Sequence, residues 1–107
     1  MPVFTTILYP SASDATFDLD YYLNKHMPMV QEHFGPHGMK GWKVQKLVGT
    51  ASGKGSPYSI TCALEFGTKE EFDNALKAGA EPVMADIPNF SNKDPIFLVG
   101  EQVGASS

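Results

Sequence analysis

The chain has one cysteine, Cys62, in 107 residues, so no internal disulfide can form and nothing points to an oxidising compartment. It also lacks a basic surplus: eight Lys and Arg stand against twelve Asp and Glu, for a net charge of -4. A protein that binds nucleic acid without regard to sequence needs clustered cations to displace counterions. Here the cations are scattered, which argues against nucleic acid and, for the same reason, against an anionic membrane surface. No apolar run approaches the roughly 18 residues that a membrane span requires. Residues 1–8 (MPVFTTIL) carry no basic region and no small-residue cleavage site. The chain reads as soluble and cytoplasmic.

What is present suffices for one core. Hydrophobic residues make up 42% of the chain and charged residues 19%, a balance that disordered chains do not have. A single domain of this length buries roughly 65% of its unfolded surface. Residues 3–9 (VFTTILY) are β-branched and aromatic and stop at Pro10, which predicts a strand. Asp18 is placed to cap a helix, with Phe17 and Tyr22 at the positions of a hydrophobic staple. Leu19, Tyr22, His26, Met29, Val30 and His33 then recur at helical spacing, until Gly35-Pro36 ends the pattern. Pro28 lies inside this helix; it removes a backbone donor and predicts a kink or break beside His26.

Residues 39–48 alternate as a second strand, and the polar stretch 49–57 (GTASGKGSP) reads as a hairpin loop. It is not a phosphate loop, because Gly53-Lys54 is followed by Gly55 rather than by Ser or Thr and a helix. Residues 58–66 alternate cleanly as a third strand. Thr68 and Glu71 form a capping box that opens a second helix, carrying Phe72, Ala75 and Leu76 and ending near Gly79. A short turn after Pro82, a loop at residues 86–90, a last strand over 95–103 and a fraying tail at 104–107 complete the chain. The order β-α-β-β-α-β is the ferredoxin-like α+β arrangement, a four-stranded antiparallel sheet with both helices on one face. Whichever parity is chosen, the other face stays apolar: the first strand offers either Phe4 and Leu8 or Val3, Ile7 and Tyr9, and the last either Phe97 and Val99 or Ile96 and Leu98. A face of that kind implies a partner, and the simplest is a second copy, so a homodimer is expected.

Tyr9-Pro10, residues 16–30 (TFDLDYYLNKHMPMV) and residues 86–92 (DIPNFSN) together resemble the ethyl tert-butyl ether degradation (EthD) family of the dimeric α/β-barrel superfamily. The resemblance runs from the first strand to the last. It implies a single EthD-like domain over residues 1–107, a barrel closed by two protomers, and a ligand cavity between sheet and helices. The family's founding member is encoded beside a cytochrome P450 system that degrades fuel ethers. Superfamily relatives include cyclases, cofactorless monooxygenases, isomerases and haem-handling proteins, so the fold alone does not choose a reaction.

His26 falls on the family's His-x-Pro and is the first candidate for catalysis, since an imidazole exchanges protons near neutral pH. The alternative is a buried ring that bonds a carbonyl freed by Pro28. Tyr9 and Tyr22 are candidates to line the same pocket and position a polar substrate atom, though plain packing is the commoner role of a tyrosine so placed. Trp42 is a candidate pocket wall or interface anchor, and is equally a residue that packing alone would explain. Asp86 and Asn89 either reach the pocket or set the turns of their loop.

Asp18 and Asp20 point to different faces and form no carboxylate pair. Cys62 faces the core with no activating base. His26, His33 and His37 lack metal-binding spacing, so no metal is expected. No cofactor is expected either; haem at His26 rests on superfamily analogy alone. The resulting reading is a protein that binds a small apolar or aromatic molecule. It would act as a cyclase, isomerase or hydrolase-like acid–base enzyme in a degradative or secondary-metabolite pathway, accessory to an oxygenase system. Two readings stay open beside it: a non-catalytic accessory module, and a cofactorless monooxygenase.

Overall fold

In the computed structural model, which describes residues 1–106, strand β1 (Val3–Pro10) alternates buried and half-buried side chains along its whole length. Val3, Thr5, Ile7 and Tyr9 face the helices, while Phe4, Thr6 and Leu8 face the opposite way. The helical segment that follows comprises α1 (Leu19–Tyr21), a π-helical turn (Tyr22–His26) and α2 (Met27–Phe34). A 3-10 turn at Gly35–His37 and Gly38, at φ 106, reverse the chain into β2 (Met39–Lys46). That φ is one that glycine adopts without strain. Strand β3 (Tyr58–Phe66), helix α3 (Lys69–Ala85), a 3-10 turn (Ile87–Asn89) and β4 (Ile96–Glu101) complete the order.

The sheet is antiparallel throughout, in the order β2-β3-β1-β4, with both helical segments on one face. This is the ferredoxin-like α+β arrangement expected from the sequence. The β1–β4 register pairs Thr5 with Val99, Ile7 with Phe97 and Leu8 with Ile96. Phe97 and Val99 therefore lie on the helix side. Ile96 and Leu98 lie with Phe4 and Leu8 on the open side, which settles the parity left open above. The β2–β3 half of that open face is polar, carrying Lys43, Gln45, Thr61 and Glu65. Its apolar part is confined to the β1–β4 half.

Three local expectations are corrected. The first helix is interrupted beside His26 as expected, but by a π turn rather than by a kink at Pro28: the Met27 N–H reaches back to the Tyr22 carbonyl. The inserted residue rotates the buried face, so the buried set beyond the turn is His26, Met27, Val30 and Phe34 rather than Met29 and His33. Pro28 falls in the first turn of α2, where a missing donor costs little.

The second helix does not end at Gly79 but runs through Pro82 to Ala85. Gly79 lets α2 and α3 approach closely: a Cβ there would sit 2.9 Å from His33 Cβ and 3.3 Å from its carbonyl oxygen. Beyond Pro82, Val83 is buried in the core, and that packing overrides the local preference for a break. Strands β2 and β4 are shorter than the alternation suggested. A register shift between Met39 and Gly41 disturbs the start of β2, and Val48 lies outside it in solvent. The tail expected to fray includes Ser107, which lies outside the described residues.

Candidate functional site

The first helical turn is built as its sequence requires. Asp18 accepts a hydrogen bond from the Tyr21 N–H, and Phe17 packs against Tyr22 with ring centroids 5.0 Å apart. Distant chain then joins it. The Asp18 N–H donates to the Phe90 carbonyl at 2.8 Å, and the Asn92 side chain accepts from the Thr16 N–H at 2.8 Å. Asn92 also donates to the Asp14 carbonyl. Residues 86–92 are thus stitched to residues 14–22. The two segments that carry the family resemblance form one structure.

This stitching sets Asp86 beneath His26. The His26 Nδ1 lies 2.9 Å from Asp86 Oδ2, with both side chains almost wholly buried. The other carboxylate oxygen accepts from the Tyr21 hydroxyl at 2.7 Å and from the Asn89 amide at 2.9 Å. Because an ionised carboxylate only accepts, His26 Nδ1 carries the proton, and Nε2 remains as the acceptor of a neutral ring. Tyr22 stacks on the imidazole at 5.3 Å, and Phe90 packs against it at 4.5 Å. The ring is thus fixed on the sides of Asp86, Tyr22 and Phe90.

Burial pushes the His26 pKa below its ordinary 6.5, against the upward pull of the Asp86 hydrogen bond and charge. Burial alone would raise Asp86, but hydrogen bonds from Tyr21, Asn89 and His26 outweigh it and hold the carboxyl below its ordinary value. Burial also raises Tyr9, Tyr22 and Cys62, the last to about 11. Both tyrosines stay protonated donors, and the buried Cys62 thiol is no nucleophile at neutral pH.

These directions fix a stability profile. His26 and Asp86 bind protons more weakly folded than unfolded, so their contribution is complete above about pH 6.5 and is lost on acidification. Loss begins just below pH 6.5 through His26 and continues below 3.8 through Asp86. Cys62 and the tyrosines act in the other sense: stability falls as pH rises from 9 towards 11 and beyond. Urea midpoints should therefore peak between about pH 7 and 9 and fall on both sides; an unchanged midpoint at pH 5 would contradict the His26–Asp86 assignment.

On the far side of His26 lies a cavity of about 400 Å³ between the helices and the helix-facing side of β1, β3 and β4. Its wall is almost entirely apolar, with Val30, Phe34, Leu64, Phe72, Val83 and Ile87 contributing most of its depth. Leu76, Met84, Phe97 and Val99 are part-exposed and form an apolar mouth between α3 and β4. Among the described residues no lysine, arginine or carboxylate lines it.

Of the residues singled out from sequence, His26, Tyr9 and Tyr22 line this cavity. Asp86 and Asn89 do not; they stand behind His26 as its support. Trp42 is not brought to the cavity either and packs half-buried against the core from β2. Sequence reading missed Tyr21, because its hydroxyl meets Asp86 across 65 positions of chain. It also missed Thr5, which lines the cavity from β1. Among the described residues no group of three potential metal ligands occurs, and no helix is long and apolar enough to cross a membrane.

No protein-family model matches the chain, and no curated protein does. Solved structures do. An EthD-like protein from Ralstonia eutropha JMP134 shares 30% identity at a TM-score of 0.87, over 99% of this chain and 96% of that one. An ethyl tert-butyl ether degradation (EthD) family protein from Bacillus halodurans C-125 shares 23% at a TM-score of 0.76, over 96% and 100%. A dimeric ferredoxin-like protein of unknown function from Thermobifida fusca YX shares the fold at 12% identity and a TM-score of 0.60, over 95% and 92%.

Proposed function

We propose, starting from the fact that this chain belongs to the EthD-like family, that it binds a small uncharged apolar or aromatic molecule and moves a proton on it through His26. One observation carries the reading: a single imidazole borders a cavity whose wall is almost entirely apolar, and its Nδ1 is fixed by a buried carboxylate. A neutral ring with Nε2 free is a general base suited to a phenol, an enol or a C–H beside a carbonyl. Once it takes the proton, Asp86 stabilises the imidazolium, and the same Nε2 can return the proton to another atom. That sequence is an isomerisation or a cyclisation; it needs no covalent intermediate, and no activated nucleophile is at hand.

The apolar wall supplies the rest. It excludes water, which strengthens each electrostatic contact at His26. It also disfavours charged ligands, because no cation stands ready to pair a carboxylate or phosphate. Tyr9 and Tyr22 hold their protons firmly and are engaged with each other and with Cys62, so they shape the wall beside His26 without being titrated. Asp86, Tyr21 and Asn89 are positioning residues. The working unit is a homodimer in the cytoplasm, with the apolar β1–β4 half of the open sheet face covered by a second copy; the Thermobifida fusca relative is described as dimeric.

The test pairs binding with turnover. Aromatic phenols and ketones are screened against wild type and His26→Ala by thermal shift and native mass spectrometry. Exchange of ketone α-protons with deuterated water is followed by NMR. Wild type should bind and accelerate exchange, and His26→Ala should still bind while losing at least about 100-fold of the acceleration. Equal exchange by the two proteins, or no binding by wild type, would refute the reading.

A further inference from the structure

Beside that apolar cavity one buried polar atom has no account in the site described so far. In the unliganded chain it is turned away from the open space, and rotation about χ1 would exchange it with the methyl group of the same side chain. Thr5 Oγ1 is buried, Thr5 as a whole is only 3% exposed, and the hydroxyl has no hydrogen-bond partner. It is the single buried side-chain nitrogen or oxygen in that condition among the described residues. Leaving a hydroxyl so placed costs about 1–3 kcal/mol, and a valine of the same shape would avoid the cost. Thr5 is also on the cavity wall. Its neighbours there, Leu64 and Val99 across the strands, offer it nothing to bond.

Its place along β1 separates it from the imidazole. Thr5, Ile7 and Tyr9 share the helix-facing side, and four residues of strand put Thr5 about 13 Å from Tyr9 between Cα atoms. Tyr9 packs on Tyr22, and Tyr22 stacks on His26, so His26 belongs to the Tyr9 end of the cavity. Thr5 lies towards the other end. Between them the wall is apolar.

We infer that Thr5 is a second polar anchor of the ligand site, and that the ligand is an uncharged two-ended molecule. One end is a proton-exchanging phenol or enol at His26; the other is a carbonyl or hydroxyl that takes the Thr5 O–H; a flat apolar body joins them. The cavity of about 400 Å³ accommodates on the order of a dozen non-hydrogen atoms, at about 30 Å³ for each as in liquid water. That suits two fused rings with a substituent at each end. This rests on the cavity reading proposed above and adds to it the second end and its partner.

The probes are 2-acetyl-6-hydroxynaphthalene, which has both ends, and 2-naphthol, which has only the phenol. Their affinities are measured by calorimetry for wild type, Thr5→Val and Thr5→Ser. Thr5→Val should weaken the two-ended probe by about 3- to 12-fold, the worth of one net hydrogen bond, and leave 2-naphthol unchanged. Thr5→Ser keeps the hydroxyl and should retain most of the affinity for the two-ended probe. Without ligand, Thr5→Val should melt no earlier than wild type, since it removes an unpaired group. If both probes bind wild type and Thr5→Val changes neither affinity, the anchor is refuted while the cavity reading stands. Earlier melting of ligand-free Thr5→Val would refute it too, by showing that the hydroxyl is bonded within the fold. If neither probe binds wild type, the cavity reading falls and the anchor with it.

Discussion

Replacing Asp86 with alanine should lower the free energy of unfolding by about 3–5 kcal/mol, read from urea denaturation at pH 7. The carboxylate accepts from Tyr21, Asn89 and His26 at 2.7–2.9 Å, so its loss orphans three donors at once. Hydrogen bonds to a charged group are worth about 1.5–3 kcal/mol each, and part of that returns when the exposed edge of Tyr21 finds water. Asp86→Asn separates stability from chemistry. The asparagine oxygen can still accept from Tyr21 or Asn89, but its NH2 would face His26 Nδ1 and demand the other tautomer. Nε2 would then carry the proton and could no longer act as a base. The expected result is a smaller stability loss than in Asp86→Ala with proton exchange as low as in His26→Ala. An Asn variant with full exchange activity would show that Asp86 does not position the ring.

Placing lysine at both Ile96 and Leu98 should turn a dimer of twice the 11.6 kDa chain mass into a monomer at micromolar concentration, by size exclusion with light scattering. The two side chains, 40% and 54% exposed in the isolated chain, continue the apolar strip of Phe4 and Leu8 across β1 and β4. Burying such a side chain fully is worth about 1.5–3 kcal/mol. Two positions on each of two protomers therefore raise the dissociation constant by about 10³-fold or more. The fold should survive, because neither residue contacts the helix side. A wild-type mass near one chain would refute the dimer outright; a double variant that remains dimeric would place the interface elsewhere.

How much of this was legible beforehand depended on how local its cause was. β3 alternates without interruption, so its limits matched the sequence reading; Asp18, Phe17 with Tyr22, and Thr68 with Glu71 likewise act within five residues. The choice of His26 came from its segment, and the residue lines the cavity. Causes that cross the chain were hidden. Asp86 reaches His26 over 60 positions, and only the bonds from Phe90 and Asn92 to residues 14–18 reveal why. Gly79 and Pro82 spell a helix end until α2 is laid against α3. Thr5 looks like any strand threonine until its neighbours prove to be Leu64 and Val99. Trp42 shows the packing that was weighed beside its binding role: it lies on β2, half-buried against the core.

The π turn at Tyr22–His26 makes chain length, more than residue identity, the sensitive quantity in this helix. Leu23 is more than a third exposed, and many side chains would serve there. Deleting it is a different matter. One residue fewer would restore ordinary winding with the flanking turns kept on their faces, and the side chains inside the wide turn, Tyr22 and His26, would be re-aimed against each other. Relatives that keep this histidine over a buried carboxylate should therefore vary freely in spelling across these five positions but keep their number.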